Sequence, residues 1–270
     1  MAVSRRNEGS DLGARVLAAL PLIAIAIFIV AQGGTIFAIG IIVLGLLAFA
    51  ELFQMMKQPK PAVMAGYVSA IALVLTARFG DRAQVLMVMA LTVPVVFAIT
   101  LMRRRRRDSS WAMAVVFLGI MWIGMALAHA MLLRRLPHGG GLLLDTLVGT
   151  FLGDTGAYFG GRLWGRTKLS PRISPNKTVE GLIAGIIVGT FAFWASGLYQ
   201  NWLNGIDALV IGLAVALTAP LGDLFESLIK RDSGVKDSGR IFGAHGGVLD
   251  RLDAVLFTVV AAYYVALAVL

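Results

Sequence analysis

An all-α, polytopic integral membrane protein of about nine transmembrane helices is the fold class the sequence predicts, and three observations carry that prediction. Hydrophobic residues make up 58% of the 270 residues and charged residues only 14%, where soluble domains carry roughly 25% charged residues. The apolar residues fall in runs long enough to span a bilayer core, which takes about 20 residues of helix. The cations sort to alternate ends of those runs, as the positive-inside rule requires.

The runs are read at 15–31, 35–53, 62–77, 84–102, 111–133, 142–161, 179–199, 206–229 and 250–269. With the N-terminus on side A and strict alternation, 20 of the 24 Lys and Arg fall on side A. They are Arg5, Arg6 and Arg15; Lys57 and Lys60; Arg103 to Arg107; Arg162, Arg166, Lys168, Arg172 and Lys177; and Lys230, Arg231, Lys236, Arg240 and Arg251. Side B receives only Arg78, Arg82, Arg134 and Arg135. Side A is therefore predicted to be cytoplasmic, with the N-terminus inside, the C-terminus external and the protein in the cell (inner) membrane. The first run follows three arginines as a signal peptide would, but no small-residue cleavage site sets it off, so it is read as a retained span. The net charge of +9 then reflects cytoplasmic anchoring, and no nucleic-acid partner is expected. The chain has no cysteine, which excludes disulfides, thiolate metal sites and a cysteine nucleophile.

Chemistry divides the chain into an N-terminal scaffold of about five spans (1–133) and a C-terminal catalytic region of about four (134–270), with cytoplasmic loops at 162–178 and 230–249. In the first region Glu51 reads as an interfacial carboxylate, Arg103 to Arg107 as a contact with anionic headgroups, and His129 as a packed histidine. His138-Gly-Gly-Gly141 reads as a flexible loop on side B. In the second region Gly149, Gly153, Ala157 and Gly161 recur every four residues, and Gly181, Gly185 and Gly189 repeat the device. Such stripes let helix backbones approach closely in lipid, and they are also compatible with a homodimer.

Four places could carry chemistry. Asp154 interrupts the first small-residue stripe about 12 Å from Arg162 at 1.5 Å per residue. A carboxylate at that depth must be paired, coordinated to a cation or in contact with water. Ser174-Pro-Asn-Lys-Thr178 precedes a helix, with Thr178 as its N-cap; a helix N-terminus beside Lys177 suits an anion. Asp223, Glu226, Ser227 and Lys230 share one helix face by spacing. Glu226 and Lys230 form an i,i+4 pair, whereas Asp223 needs a partner from elsewhere. Residues 227–253 then gather five basic side chains, four aspartates, a histidine and five glycines. Asp250 and Asp253 lie one turn apart at a helix start, and Gly246-Gly247 leaves backbone open to a ligand. Carboxylates beside cations suit Mg²⁺ bridged to a polyphosphate, because Mg²⁺ takes one or two carboxylates and completes its shell with phosphate oxygen and water.

The spacing Ser227-x2-Lys230-Arg231-x4-Lys236-Asp237-x7-His245-Gly-Gly-x2-Asp250-Arg251-x-Asp253 resembles the signature of the phosphatidate cytidylyltransferases (CDP-diacylglycerol synthases). Gly153-Asp-Thr-Gly-Ala-Tyr158 and Ser174-Pro-Asn-Lys-Thr-Val-Glu-Gly181 look like two further blocks of that family, with Asn176 where many members carry Lys. The resemblance is specific over 150–255 and rests on hydropathy alone before that. It implies a nucleotidyltransferase of phospholipid biosynthesis that transfers CMP from CTP to phosphatidic acid, with Mg²⁺ and room for a second cation, in contact with membrane lipid. Asp223 and Asp250 are then expected as metal ligands and catalytic groups, with Asp154 and Asp253 as further carboxylates of the metal site. Lys230 and Lys236 are expected to act on the reacting phosphates. Ser174, Asn176, Lys177, Thr178, Ser227, Arg231, Asp237, His245, Gly246, Gly247 and Arg251 are expected to bind substrate.

Three other readings remain as contrasts. A transporter would place an ionisable residue like Asp154 on an ion path, but no paired broken helices occur in the two regions. A CDP-alcohol phosphotransferase would need aspartates four apart and an upstream Asp-Gly-x2-Ala-Arg block, neither of which is present. A CTP-dependent lipid kinase differs in its product, releasing CDP instead of pyrophosphate.

Overall fold

The computed structural model describes residues 24–56, 62–102, 108–239 and 246–270. Arg240 and His245 lie outside the described residues, as do Arg103 to Arg107, Lys57, Lys60 and the greater part of the first predicted run. The described chain is helical almost throughout. A short helix α1 (24–32) is followed by α2 (Gly34–Met55), α3 (Val63–Phe79) and α4 (Arg82–Leu101). Next come α5 (Ser109–Gly119), a π-turn (Ile120–Gly124) and α6 (Met125–Arg135), which form one continuous rod. The second region holds α7 (Gly139–Trp164), strands β1 (Lys168–Ser170) and β2 (Ser174–Thr178), α8 (Val179–Gly197), α9 (Gly205–Asp232) and α10 (Leu249–Val269).

Among the described residues six segments are long and apolar enough to cross a membrane: α2, α4, the α5–α6 rod, α8, α9 and α10. This is an integral membrane protein. The helix α3 is apolar but shorter, and α7 is long but diluted by eight glycines and two aspartates. The side chains left outside the bundle are those expected against lipid: Leu86, Met87, Leu91, Val93 and Phe97 of α4 are all exposed.

From the second predicted run onward, the apolar runs match helix ends to within about three residues. Two readings need correction. His138–Gly141 is no flexible loop: His138 precedes α7 with φ 56 and stacks on Trp202, ring centroids 4.6 Å apart, and the glycines form the first turn of the helix. Glycine is needed there because a Cβ on Gly139 would lie 2.7 Å from the Arg134 carbonyl carbon. The segment 162–178 also contains structure of its own. Its β1–β2 antiparallel hairpin, with Lys168 opposite Thr178 and Ser170 opposite Ser174, is a small exception to an all-α fold.

The small-residue stripes meet as α7 packs along α8. A Cβ on Gly185 would stand 3.0 Å from the Gly153 carbonyl, and one on Gly189 would stand 2.9 Å from the Gly149 carbonyl. Only hydrogen fits between these backbones, so both stripes are spent inside one chain and give no support to pairing of two chains. His129 is packed as expected: it is buried, with Nδ1 2.7 Å from the Met125 carbonyl and Nε2 3.0 Å from the Tyr264 hydroxyl.

The four side-B arginines gather at one end of the bundle, and each has a local partner. Arg134 donates to the carbonyls of Val30 (2.7 Å) and Ala31 (3.1 Å) at the end of α1. Arg135 donates to Ala77 and Gly80 at the end of α3, both at 2.6 Å. Helix C-termini expose unpaired carbonyls and a partial negative charge, so cations are favoured there. The guanidinium of Arg78 lies 5.1 Å from the ring centre of Phe79, and that of Arg82 lies 5.6 Å from the ring centre of Tyr263.

Candidate active site

At the opposite end of the bundle, α7, α8, α9, α10 and the hairpin enclose a cavity of about 620 Å³. Its glycine wall follows from the packing just described: Gly149, Gly153, Gly161, Gly181 and Gly185 line it, and the absent side chains leave the room. Pro220 lines it from α9. A proline inside a helix removes one backbone donor, and α9 nevertheless continues through it to Asp232.

The hairpin delivers Ser174, Asn176, Lys177 and Thr178 to the cavity. It is anchored at both ends. Thr178 caps α8, accepting from the Gly181 amide at 3.1 Å, and the Glu180 carboxylate accepts from the amides of Arg166 and Thr167, each at 3.1 Å. At the turn, Arg231 Nε donates to the Ile173 carbonyl at 3.3 Å, which ties the hairpin to the end of α9.

Four aspartates line the cavity: Asp154 from α7, Asp223 from α9, and Asp250 and Asp253 from α10. Among the described residues two cations line it with them, Arg162 and Lys177. Lys177 pairs with Asp223, supplying the partner that the sequence around Asp223 lacks. Asp154 lies within electrostatic reach of Asp253, Asp223 and Lys177. Asp250 is held hardest. Its carboxylate accepts from Lys230 Nζ (2.8 Å), the Ser238 amide (3.1 Å) and the Gly247 amide (2.8 Å). Lys230 also donates to Glu226 at 2.9 Å, so the expected i,i+4 pair exists and is extended to a third group. Glu226 is fully buried, and its Oε1 has no hydrogen-bond partner among the described residues.

Whether these residues suit a divalent cation can be judged from the donors themselves. Hard carboxylate oxygens predominate, the protein's own cations fall short of balancing them, and one buried carboxyl oxygen is orphaned. Among the described residues no three acidic or histidine groups converge on one point. A cation here would thus take one or two carboxylates and fill its shell with phosphate oxygen and water, which is how Mg²⁺ is ordinarily bound. The donor set fits.

The structure brings together at the cavity Asp154, Ser174, Asn176, Lys177, Thr178, Asp223, Asp250 and Asp253. Other expected site residues lie behind or beside it. Lys230 is buried between Glu226 and Asp250. Ser227 Oγ stands 3.5 Å from Asp223 Oδ1. Arg231 braces the hairpin, and Lys236, Asp237 and Arg251 are exposed away from the cavity wall. Gly247, expected to offer open backbone to a ligand, is buried with its amide spent on Asp250. Gly246 takes φ 81, and a Cβ there would stand 2.6 Å from Asp250 Oδ2. Gly246 is thus needed to seat Asp250, and Gly247 to leave room for Glu51 and Ser238.

Three residues were not singled out for the site by sequence. Tyr158 and Arg162 line the cavity, with Arg162 Nη1 3.2 Å from the Tyr158 hydroxyl. Their i+4 and i+8 spacing from Asp154 was the available signal. Glu51 is the third. Expected at the interface, it is 2% exposed and accepts from Ser238 Oγ (3.0 Å) and from the amides of Val248 (2.9 Å) and Leu249 (2.8 Å). Its partners lie about 190 residues away in sequence, beyond the reach of any local pattern.

Comparison with known proteins covers both regions. The model of the cytidylyltransferase family matches residues 13–269. A phosphatidate cytidylyltransferase of Staphylococcus epidermidis is 33% identical over 249 residues, 90% of this chain and 94% of that protein. One of Staphylococcus haemolyticus is 33% identical over 253 residues with the same coverage. The uncharacterized protein YnbB of Escherichia coli is 40% identical over 156 residues, 56% of this chain and 52% of that protein.

Proposed function

The chain belongs to the cytidylyltransferase family and is a CTP-using nucleotidyltransferase, and we propose that the cavity between α7, α8, α9 and α10 is where it makes CDP-diacylglycerol. The enzyme transfers CMP from CTP to phosphatidic acid, a step of phospholipid biosynthesis. An oxygen of the lipid phosphate attacks the α-phosphorus of CTP. The new P–O bond forms as the bond between the α-phosphorus and the bridging oxygen breaks, and pyrophosphate leaves with that oxygen. The attacking phosphate is already ionised at neutral pH, so the protein needs no nucleophile of its own. Its task is to orient two anions and offset their repulsion.

The observation that carries this reading is the convergence of Asp154, Asp223, Asp250 and Asp253 with Lys177 on one cavity that the hairpin overhangs. A divalent cation, Mg²⁺, would be held by Asp223 and Asp250, with Asp154 and Asp253 beside them, and would supply charge neutralisation to the phosphates. Lys177 and Arg162 face the same space and suit phosphate oxygens. Ser174, Asn176 and Thr178 offer neutral donors from the hairpin and the N-terminus of α8, where anions are favoured. Lys230 acts at one remove, holding Asp250 and Glu226 in place.

The cavity end of the bundle is assigned to the cytoplasmic face of the cell membrane, where both nucleotide and cations are supplied. Nine crossings follow when α1 with its preceding apolar run, α3 and α7 are added to the six long apolar segments. In support, 20 of 24 Lys and Arg lie on the cavity side by this count, and the four others are accounted for by helix ends and aromatic rings. The deciding experiment incubates purified protein with radiolabelled CTP, phosphatidic acid and Mg²⁺. A lipid-soluble cytidine product with equimolar pyrophosphate is expected, and it should vanish in excess chelator. Release of CDP, or full turnover in chelator, would overturn the reading.

A further inference from the structure

We propose that Glu51, in the N-terminal scaffold, is a positioning residue for Asp250 and so for the reaction, an inference that rests on the role given to Asp250 above. A buried carboxylate is costly unless its oxygens are hydrogen-bonded, and among the described residues Glu51 accepts its hydrogen bonds from Ser238, Val248 and Leu249, which flank one connection. Val248 and Leu249 donate their amides to it at the start of α10, where no side chain of α10's own N-cap residue does so. Ser238 donates its hydroxyl to it from the other side of the 239–247 connection.

Ser238 then joins Glu51 to the active site. The same hydroxyl accepts from the Asp250 amide at 3.3 Å, while the Ser238 amide donates to the Asp250 carboxylate at 3.1 Å. A hydroxyl has one donor and two acceptor positions, so both contacts can be made at once. Asp250 is therefore gripped through its backbone and its carboxylate by a residue that Glu51 holds. Two glycines make room for the arrangement: a Cβ on Gly239 would stand 2.6 Å from Glu51 Cδ, and one on Gly247 would stand 2.5 Å from Glu51 Oε1.

Capping of α10 does not account for all of this. Asp250 already takes the Gly247 amide in the manner of a cap, and Ser238 belongs to no part of α10. What the three Glu51 contacts share is that each fixes a neighbour of Asp250. A supporting shell of this kind sets a ligand's orientation, and its loss typically costs about 10- to 100-fold in metal affinity or activity.

The test compares wild-type, Glu51→Gln and Ser238→Ala proteins in detergent by Mn²⁺ binding, read from paramagnetic resonance, and by turnover with CTP and phosphatidic acid. In Glu51→Gln an amide nitrogen replaces one accepting oxygen and faces donors. Mn²⁺ affinity is expected to fall about tenfold and kcat about 10- to 100-fold, with folded protein still recovered. Ser238→Ala should move both quantities the same way by less, and it decides the matter if Glu51→Gln does not fold. Wild-type Mn²⁺ affinity in the variants, with activity lost only in proportion to folded protein, would reduce Glu51 to a structural anchor and overturn the proposal. Wild-type protein that forms no CDP-lipid would instead sink the functional reading, and the positioning role with it.

Discussion

Arg134, Arg135 and Glu51 of α1–α6 reach mainly for backbone, whereas the acidic groups and lysines around the cavity in α7–α10 also reach for one another. Arg134 and Arg135 end on helix carbonyls, and Glu51 ends on two amides and a hydroxyl. Asp154, Asp223, Asp250, Asp253, Lys177 and Lys230 instead face a shared space or each other. Apolar surroundings impose the same demand on both regions, since an unsatisfied polar group in hydrocarbon costs several kcal/mol, roughly. Among the described residues Arg134, Arg135 and Glu51 meet it with fixed partners, nearly all of them backbone. The second region meets it with side chains that can exchange partners, and that is the condition for binding charged substrates at membrane depth.

The contrast breaks most sharply at Asp250. Asp250→Asn keeps the shape but sets an amide against Lys230, the Ser238 amide and the Gly247 amide, all of which are donors. CDP-diacylglycerol formation should fall by at least about 1,000-fold, at the upper end of what one preorganised electrostatic group commands. The protein should still elute as folded material in detergent. Turnover within tenfold of wild type would remove Asp250 from the reaction.

A smaller effect is expected at Lys177. It is one of two cations on the cavity wall among the described residues and is paired with Asp223. Lys177→Ala leaves the aspartates less balanced when a polyphosphate arrives. The KM for CTP should rise about tenfold with a smaller change in kcat, as for the loss of ground-state binding. A kcat loss with unchanged KM would mean that Lys177 acts mainly on the reacting phosphate.

Much of the second region was legible in advance. Helix ends, the Thr178 cap, the Glu226–Lys230 pair and the two small-residue stripes all depend on residues a few positions apart, and their spacing states the geometry. Asp154, Asp223, Asp250 and Asp253 could be gathered because each sits near the same end of a predicted helix. What could not be read were contacts that close over long sequence separations. Nothing near Asp223 names Lys177, which arrives on a hairpin hidden among prolines and serines. Nothing near Glu51 marks it as the acceptor for Ser238, Val248 and Leu249, because one acidic residue at the end of an apolar run looks like any interfacial carboxylate. The packing around Gly246 and Gly247 was hidden for the same reason: local flexibility was visible, but the Asp250 and Glu51 carboxylates packed against them were not.

The least effect on chemistry, and the sharpest test of the division between regions, belongs to Arg135. Its guanidinium donates two bonds of 2.6 Å to the Ala77 and Gly80 carbonyls, where α3 ends at the far side of the bundle from the cavity. Arg135→Ala removes both and leaves the end of α3 with Arg78 alone in its last turn. Hydrogen bonds to charged groups contribute about 1.5–3 kcal/mol, and solvent access at this end reduces that to roughly 1 kcal/mol. The melting temperature in detergent should drop by about 2–4 °C, while kcat and the KM for CTP stay within about twofold of wild type, since no hydrogen bond or ion pair links Arg135 to the cavity among the described residues. If Arg135 only holds the bundle together, stability falls without turnover in this variant, whereas in Glu51→Gln turnover falls while folded protein is still recovered. A large loss of kcat in Arg135→Ala would show that strain at the far end of α3 reaches Asp250, and the two regions would then have to be treated as one catalytic unit.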